Sequence, residues 1–234
     1  MLILSLRDND STIRFGRETW HEQEITSPPL DVLDVGRRLH RKRICFLVHG
    51  YNVADALDVY SRMHRWLRDW YDEVIGVTWP GSRVVFGFWP ARGRAKKAGQ
   101  RLANHLTDVH AEIDIQGHSL GCRVALEAVQ HGQLVRNLIL AAPAVNDDAL
   151  TREYRSAEGR VGNKVMIAHS HRDGVLRGSY RLALGRTALG LHGPRVETAN
   201  SHVVDCAPDV AAHGDYNRSH IYRSAWSEIA TGGL

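Results

Sequence analysis

Ser119 is the residue whose surroundings point most directly to chemistry. It is the central residue of a G-x-S-x-G pattern that runs from Gly117 to Gly121. An apolar, strand-like run precedes the pattern, and a helix-like stretch follows it. A nucleophilic serine must project from a sharp strand-to-helix turn, and small residues two positions away on either side permit that turn. In this setting the pattern predicts that Ser119 is a nucleophile.

A nucleophilic serine needs three further groups. A base accepts its proton, a third side chain orients the base, and backbone donors bind the oxyanion that develops on the substrate. The apolar run from Cys45 to Val48 is followed by the sequence His-Gly-Tyr-Asn, which begins at His49. The glycine in this sequence lets the backbone turn its amides toward a pocket. We expect the backbone N–H groups of Tyr51 and Leu120 to form the oxyanion hole. We expect His49 to be structural and hydrogen-bonded within its own loop.

Four short motifs together resemble a known family. They are His-Gly-Tyr-Asn from His49, Trp-Pro from Trp79, Gly-His-Ser-Leu-Gly from Gly117, and Ala-Ala-Pro from Ala141. The chain is similar to α/β-hydrolases, and the nearer likeness is to the DUF900 group of hydrolases of unknown function. The likeness spans roughly residues 44–230. It implies an α/β-hydrolase fold and the chain order nucleophile, acid, histidine.

The order implied by the resemblance restricts the acid to a loop that follows a strand downstream of Ser119. Asp173 follows the apolar run 165–168 and is our first choice, because α/β-hydrolases usually place the acid one strand before the histidine. Asp147 and Asp148 follow the preceding strand and remain an alternative, since some members use that location. Two other aspartates lie too close in sequence to the candidate histidines to be first choices: Asp205 and Asp209.

The same order leaves two of the fourteen histidines as candidates for the base. His213 lies in a short loop after the last predicted strand and is preferred, while His220 is expected on the final helix. His169 and His171 have a spacing that could hold a metal ion in an extended stretch, but they lack a carboxylate or thiol partner at matching spacing. We therefore expect a Ser119, Asp173 and His213 triad that uses no metal and no cofactor.

The aromatic and glycine-rich stretch 79–90 follows a strand at the edge where such folds bind ligands. Trp79 and Trp89 are tentative substrate contacts on that ground. Residues 174–201 could form a small cap, and no segment has room for a full lid domain. A carboxylic ester is the first expectation, with a thioesterase or an amidase as alternatives that use the same triad. A binding module that keeps the hydrolase fold without catalysis is the alternative from another functional class.

The rest of the chain has the alternation that a doubly covered sheet requires. Strands are predicted at 44–48, 74–79, 113–116, 135–141, 165–168 and 202–205, preceded by one strand near residues 1–6. Helical periodicity is present at 56–70, 91–109, 119–130 and 217–229. Alternation of this kind predicts one α/β domain over 1–234, with a mostly parallel sheet and helices on both faces. Residues 1–43 are interpreted as an N-terminal extension with edge strands.

Composition limits the remaining possibilities. Thirty basic residues against 26 acidic ones leave a net charge of +4 on 234 residues, as in ordinary globular chains. Two basic clusters, at residues 37–43 and 92–101, are explained as solvated faces, so no nucleic-acid partner is expected. Three widely spaced cysteines exclude a disulfide framework and favour the cytoplasm. No apolar run is long enough to span a membrane, and the oligomeric state is not determined by the sequence.

Overall fold

The computed structural model describes residues 2–6, 39–51, 56–81 and 88–232. A seven-stranded sheet lies at its centre. The strands are β1 Leu2–Ser5, β2 Arg43–Val48, β3 Glu73–Thr78, β4 Glu112–His118, β5 Val135–Ala141, β6 Val161–His169 and β7 Ser201–Asp205. Most of the predicted N-terminal extension, residues 7–38, lies outside the described residues.

The strands lie in the order β1-β3-β2-β4-β5-β6-β7, and each neighbouring pair in the described sheet is parallel. The inner strands are buried along most of their length, which explains why they read as nearly continuous apolar runs. Parallel strands place all their carboxyl ends at one edge of the sheet. The loops that follow β2, β4, β6 and β7 therefore meet at this edge.

The helices of the described residues are α1 Ala56–Leu67, α2 Phe88–Leu106, α3 Gly121–Gln130, α4 Arg181–Leu184, α5 Leu189–His192 and α6 His220–Thr231. Buried side chains of α2 and α3 belong to the core on one face of the sheet, and those of α1 and α6 belong to the core on the other face. The predicted α/β architecture with helices on both faces is confirmed. No helix in the described part of the chain is both long and apolar enough to cross a bilayer.

Two helices begin later than their periodicity predicts. The third begins at Gly121 because Ser119 has a φ of +55°, which no helix accommodates. The last begins at His220, not at residue 217, because Ser219 is its N-cap and accepts the N–H of Tyr222 at 2.9 Å. Capping side chains and left-handed residues set these boundaries, whereas apolar periodicity continues across them.

A buried carboxylate joins the strands at the edge opposite the loops described above. Asp114 of β4 has no exposed surface and accepts hydrogen bonds from Tyr71, Arg136 and Asn137. Arg136 also donates to the carbonyl of Ala230 near the end of α6, at 2.9 Å. This network connects the middle of the sheet to the last helix.

The segment predicted as a small cap, residues 174–201, is partly helical. It contains one π-helical turn, Leu176–Tyr180, followed by α4 and α5. The N–H groups of Leu189 and Gly190 donate to the carbonyls of Val145 and Pro143, at 2.8 and 3.0 Å. The segment therefore packs on the chain that leaves β5, and its role as a cap stays a prediction.

Candidate active site

Ser119 occupies a left-handed turn between β4 and α3. Its φ of +55° is uncommon for a residue with a side chain, and the turn leaves only 7% of the residue exposed. A Cβ atom on Gly117 would come within 2.6 Å of Cys122 Cα, and one on Gly121 would collide with the carbonyl oxygens of Val48 and His49. Both glycines are required by close backbone approach, as the sequence pattern predicts.

His213 contacts Ser119 directly. Its Nε2 atom lies 2.7 Å from Ser119 Oγ, and its Nδ1 atom lies 2.6 Å from Asp173 Oδ2. A ring with Nδ1 protonated donates to the carboxylate and leaves Nε2 as the acceptor of the serine proton. The three side chains that the sequence singles out thus form one hydrogen-bonded chain, although Ser119 and His213 are 94 residues apart.

Asp173 is held in place by the backbone that follows it. The side chain has no exposed surface, and its Oδ1 atom accepts the N–H groups of Val175 and Leu176, both at 3.0 Å. These donors belong to the first turn of the helical segment after β6, where backbone N–H groups have no partner within the helix. The other carboxylate oxygen, Oδ2, is left to contact His213.

His118 takes part in the site in a way that sequence reasoning missed. Its Nε2 atom lies 2.8 Å from the carbonyl oxygen of His213, so this nitrogen carries a proton and donates. Burial, and secondarily the charge of a protonated His213, lower the pKa of His118 from 6.5 to about 4. The neutral ring therefore holds the loop of His213 through one hydrogen bond. The residue lies inside the Gly-His-Ser motif, but only the fold shows what its side chain contacts.

The loop after β2 carries one of the expected oxyanion donors. His49 Nδ1 donates to the carbonyl of Gly50 at 2.8 Å, within the loop, as expected. The loop lies against the serine, because a Cβ atom on Gly50 would be 2.9 Å from Ser119 Cβ. Tyr51 follows Gly50, and Leu120 precedes the first turn of α3, where backbone donors lack partners within the helix. Both N–H groups thus belong to segments adjoining Ser119.

Trp79 packs against the loop that follows β2 and hydrogen-bonds to it. Its indole N–H donates to the carbonyl of His49 at 2.8 Å, and the two rings stack with centroids 5.6 Å apart. The side chain has no exposed surface to offer a substrate, and its polar N–H finds its acceptor inside the protein. Trp89 is 59% exposed at the start of α2, where the guanidinium of Arg92 lies 5.2 Å from its ring. Residues 82–87, between the two tryptophans, lie outside the described residues.

A cavity of about 160 Å³ lies beside the serine, on the sheet face covered by α1 and α6. Gly50 and His118 line it, and so does Gly214, the neighbour of His213. Neither tryptophan expected to contact the substrate lines this cavity. The candidate site therefore has an adjoining space that could receive one part of a substrate.

The alternative acids are engaged elsewhere. Asp147 pairs with Arg195 at 3.2 Å, and Asp148 pairs with Arg152, also at 3.2 Å. The carboxylate of Asp209 accepts the hydroxyl of Ser219 at 2.7 Å.

Neither the alternative base nor the two histidines considered as metal ligands hydrogen-bonds to Ser119 in the described part of the chain, where the partner of Ser119 Oγ is His213. His220 is exposed at the first residue of α6. His169 lies 4.0 Å from Asp205, the remaining alternative acid. Among the described residues, no group of three histidine, cysteine or acidic side chains could hold a metal ion. His169 and His171 therefore gain no further ligand there.

A parallel sheet with helices on both faces, a strained serine turn after a central strand, and a histidine contacted by a buried aspartate define the α/β-hydrolase class. The sequence matches the family described as alpha/beta hydrolase of unknown function (DUF900) over residues 32–211. The chain belongs to this family, which confirms the resemblance noted from its motifs. No curated protein sequence matches the chain.

Solved structures show the same fold. Est1E from Butyrivibrio proteoclasticus, solved with bound ferulic acid, is 13% identical with a TM-score of 0.50, and the match covers 82% of this chain and 88% of that one. An uncharacterized protein from Bacillus cereus is 16% identical with a TM-score of 0.50, covering 92% of this chain and 64% of that one. At these identities the likeness concerns the fold alone.

Proposed function

We propose that this protein is a serine hydrolase that cleaves carboxylic esters through an acyl-enzyme intermediate. The observation that carries the proposal is the hydrogen-bonded chain from Ser119 Oγ through His213 to Asp173, with distances of 2.7 and 2.6 Å. Membership of a hydrolase family supports it.

In the first half of the reaction, Ser119 Oγ attacks the carbonyl carbon of the ester. His213 Nε2 accepts the hydroxyl proton and then donates it to the departing alcohol. The carboxylate of Asp173 stabilises the imidazolium that forms between these steps and keeps the ring in the required orientation. The products of this half are the free alcohol and an acyl group bonded to Ser119.

In the second half, His213 accepts a proton from water, and the resulting hydroxide oxygen attacks the acyl carbon. The carbonyl bond to Ser119 Oγ then breaks, the serine recovers its proton, and a carboxylic acid leaves. In both halves a negative charge develops on the substrate oxygen, and the N–H groups of Tyr51 and Leu120 are the proposed donors to it. Water, imidazole and backbone amides supply all of this chemistry, so the proposal includes no metal and no cofactor.

The proposed substrate is a small molecule and the proposed location is the cytoplasm. Cys45, Cys122 and Cys206 are all buried free thiols, which agrees with a reducing compartment.

A fluorophosphonate probe tests the activated serine directly, because labelling requires a nucleophilic hydroxyl. Wild-type protein should be labelled and should hydrolyse p-nitrophenyl acetate. Replacing Ser119 or His213 by alanine should each lower turnover by about 10⁶-fold, and the double variant should lose little more, because the groups act as a unit. Asp173→Asn should lose about 10⁴-fold, since it disturbs the tautomer and orientation of a base that remains present.

His220→Ala and Asp147→Asn are the matched controls, because each removes the same chemical group at a position away from Ser119. Both should retain labelling and turnover. Absent labelling of a folded wild-type protein would indicate a binding module on the hydrolase fold. A Ser119→Ala variant that keeps full activity on the acetate ester would contradict the proposal.

A further inference from the structure

The cavity beside Ser119 is small and its walls are mostly apolar. Its volume is about 160 Å³, close to that of a cavity that holds one benzene ring. Val59 and Met63 of α1 form part of one wall, and Ala141 at the end of β5 lies among the residues on the sheet side. A space of this size admits a chain of about six carbons but not a long fatty chain.

Three buried polar atoms make no close hydrogen bond with the described residues and belong to side chains that line the cavity: Tyr216 Oη, Asn217 Oδ1 and Tyr222 Oη. Tyr222 interacts with the side chain of Gln116. Tyr216 Oη and Asn217 Oδ1 are therefore the two atoms that lack a partner. Buried polar atoms are almost always hydrogen-bonded in native proteins, so an unpaired pair at one cavity indicates an occupant that supplies their partners.

The chemistry of these two atoms indicates which group would satisfy them. Burial raises the pKa of Tyr216, so its hydroxyl keeps a proton that it can donate. The side-chain oxygen of Asn217 only accepts. A hydroxyl group can accept from Tyr216 and donate to Asn217 at the same time.

A charged occupant is disfavoured by the same lining. No Asp, Glu, Lys or Arg of the described residues borders the cavity. His118 lines the cavity, and its pKa of about 4 keeps the ring neutral at ordinary pH. A carboxylate or ammonium group buried there would have no counter-ion among the described residues, and that costs far more than burying a paired hydroxyl.

We propose that this cavity binds the acyl part of the substrate, and that the acyl group has about six carbons and carries a hydroxyl group bonded to Tyr216 and Asn217. The proposal rests on the ester hydrolysis proposed above, and it names the substrate class of the same site. Gly50 and His118 line the cavity and adjoin Ser119, so an acyl chain bonded to the serine would extend into it.

Four p-nitrophenyl esters test this assignment in the wild-type protein: acetate, hexanoate, 6-hydroxyhexanoate and decanoate. We expect kcat/KM to be highest for 6-hydroxyhexanoate, about 10-fold above hexanoate, because a site built around a hydroxyl discriminates against its absence. Decanoate should be at least about 10-fold slower than hexanoate, because its chain exceeds the cavity.

Substitutions of cavity residues test whether the substrate preference arises in the cavity. Tyr216→Phe and Asn217→Leu should reduce the ratio of kcat/KM for 6-hydroxyhexanoate to that for hexanoate to about 1, and this ratio is measured within each variant so that any general loss of activity cancels. Val59→Phe should fill the cavity and lower the ratio of hexanoate to acetate turnover by about 10-fold within the same variant. Val196→Phe is the matched control, because this valine is 58% exposed and outside the cavity. Thermal melting establishes that each variant is folded.

Hydrolysis of the acetate ester and fluorophosphonate labelling require a reactive Ser119 but do not require the acyl cavity. They therefore separate the two proposals. If both fail in wild-type protein, the proposed hydrolysis is wrong. If both succeed, three results overturn the acyl pocket: decanoate as fast as hexanoate, equal rates for hexanoate and its hydroxylated analogue, or a Val59→Phe profile identical to wild type. Equal rates would mean that water satisfies Tyr216 and Asn217.

Discussion

Replacing Asp114 by alanine should strongly lower the free energy of unfolding. The carboxylate of Asp114 accepts five hydrogen bonds, one from the Tyr71 hydroxyl at 2.6 Å, two from the Arg136 guanidinium at 3.1 and 2.7 Å, and two from Asn137 at 3.0 Å. Burial disfavours the charged guanidinium, but the hydrogen bonds and charge of Asp114 raise the pKa of Arg136 above its usual value. The alanine variant therefore leaves a half-buried cation and several donors without their acceptor.

The expected loss is about 3–5 kcal/mol, the range measured when one partner of a buried ion pair is removed. Small domains usually have a free energy of unfolding of about 5–15 kcal/mol, so most of them would remain folded after this loss. Asp114 precedes Ser119 by five residues on one extended stretch, which is about 16 Å. Fluorophosphonate labelling of the folded variant should therefore be close to that of the wild type.

Urea unfolding followed by tryptophan fluorescence is the appropriate assay, because the indole N–H of Trp226 donates to the Tyr71 hydroxyl at 2.9 Å and reports on this network. The control is Glu112→Gln, since Glu112 contacts Arg43 at 3.3 Å on the exposed surface and should cost less than about 1 kcal/mol. A loss for Asp114→Ala no larger than that of Glu112→Gln would refute the reasoning.

Three further changes have defined outcomes. Gly121→Ala should lower both stability and turnover, because the new Cβ collides with the carbonyls of Val48 and His49; urea unfolding and acetate kinetics measure this, and a neutral effect would contradict it. The lowered pKa of His118 means that the unfolded state binds the proton more tightly, so stability should fall by up to about 3 kcal/mol as pH drops from 6.5 to 4; His118→Gln should flatten that slope. Ser219→Ala removes an N-cap and should cost about 1 kcal/mol by thermal melting, whereas Ser219→Asn should cost less.

The fold class and the serine turn follow from local sequence features. Apolar runs of strand length alternate with helical periodicity, and this pattern specifies a parallel sheet covered on both faces. Gly117 and Gly121 flank Ser119 at the spacing that a tight turn needs, because backbone approaches too closely for any side chain at those positions. Such requirements act within a few residues, so the sequence carries them directly.

The partners of the serine depend on long-range packing. Asp173 and Asp147 both follow strands, and sequence order alone leaves both open as the acid. The fold brings Asp173 to His213 and turns Asp147 toward Arg195. The contact of His118 with the carbonyl of His213 joins residues 95 positions apart, and no local pattern encodes it.

The burial of Trp79 shows that an expectation from local sequence can be overruled by a long-range contact. Its position after a strand at the ligand-binding edge suggests a substrate contact, whereas its indole N–H is bonded to the carbonyl of His49, 30 residues earlier. Local sequence determines which elements form and where the backbone can turn sharply. Only the packed structure decides which side chains meet across those elements, because each buried polar group bonds to the partner that the whole fold brings within reach.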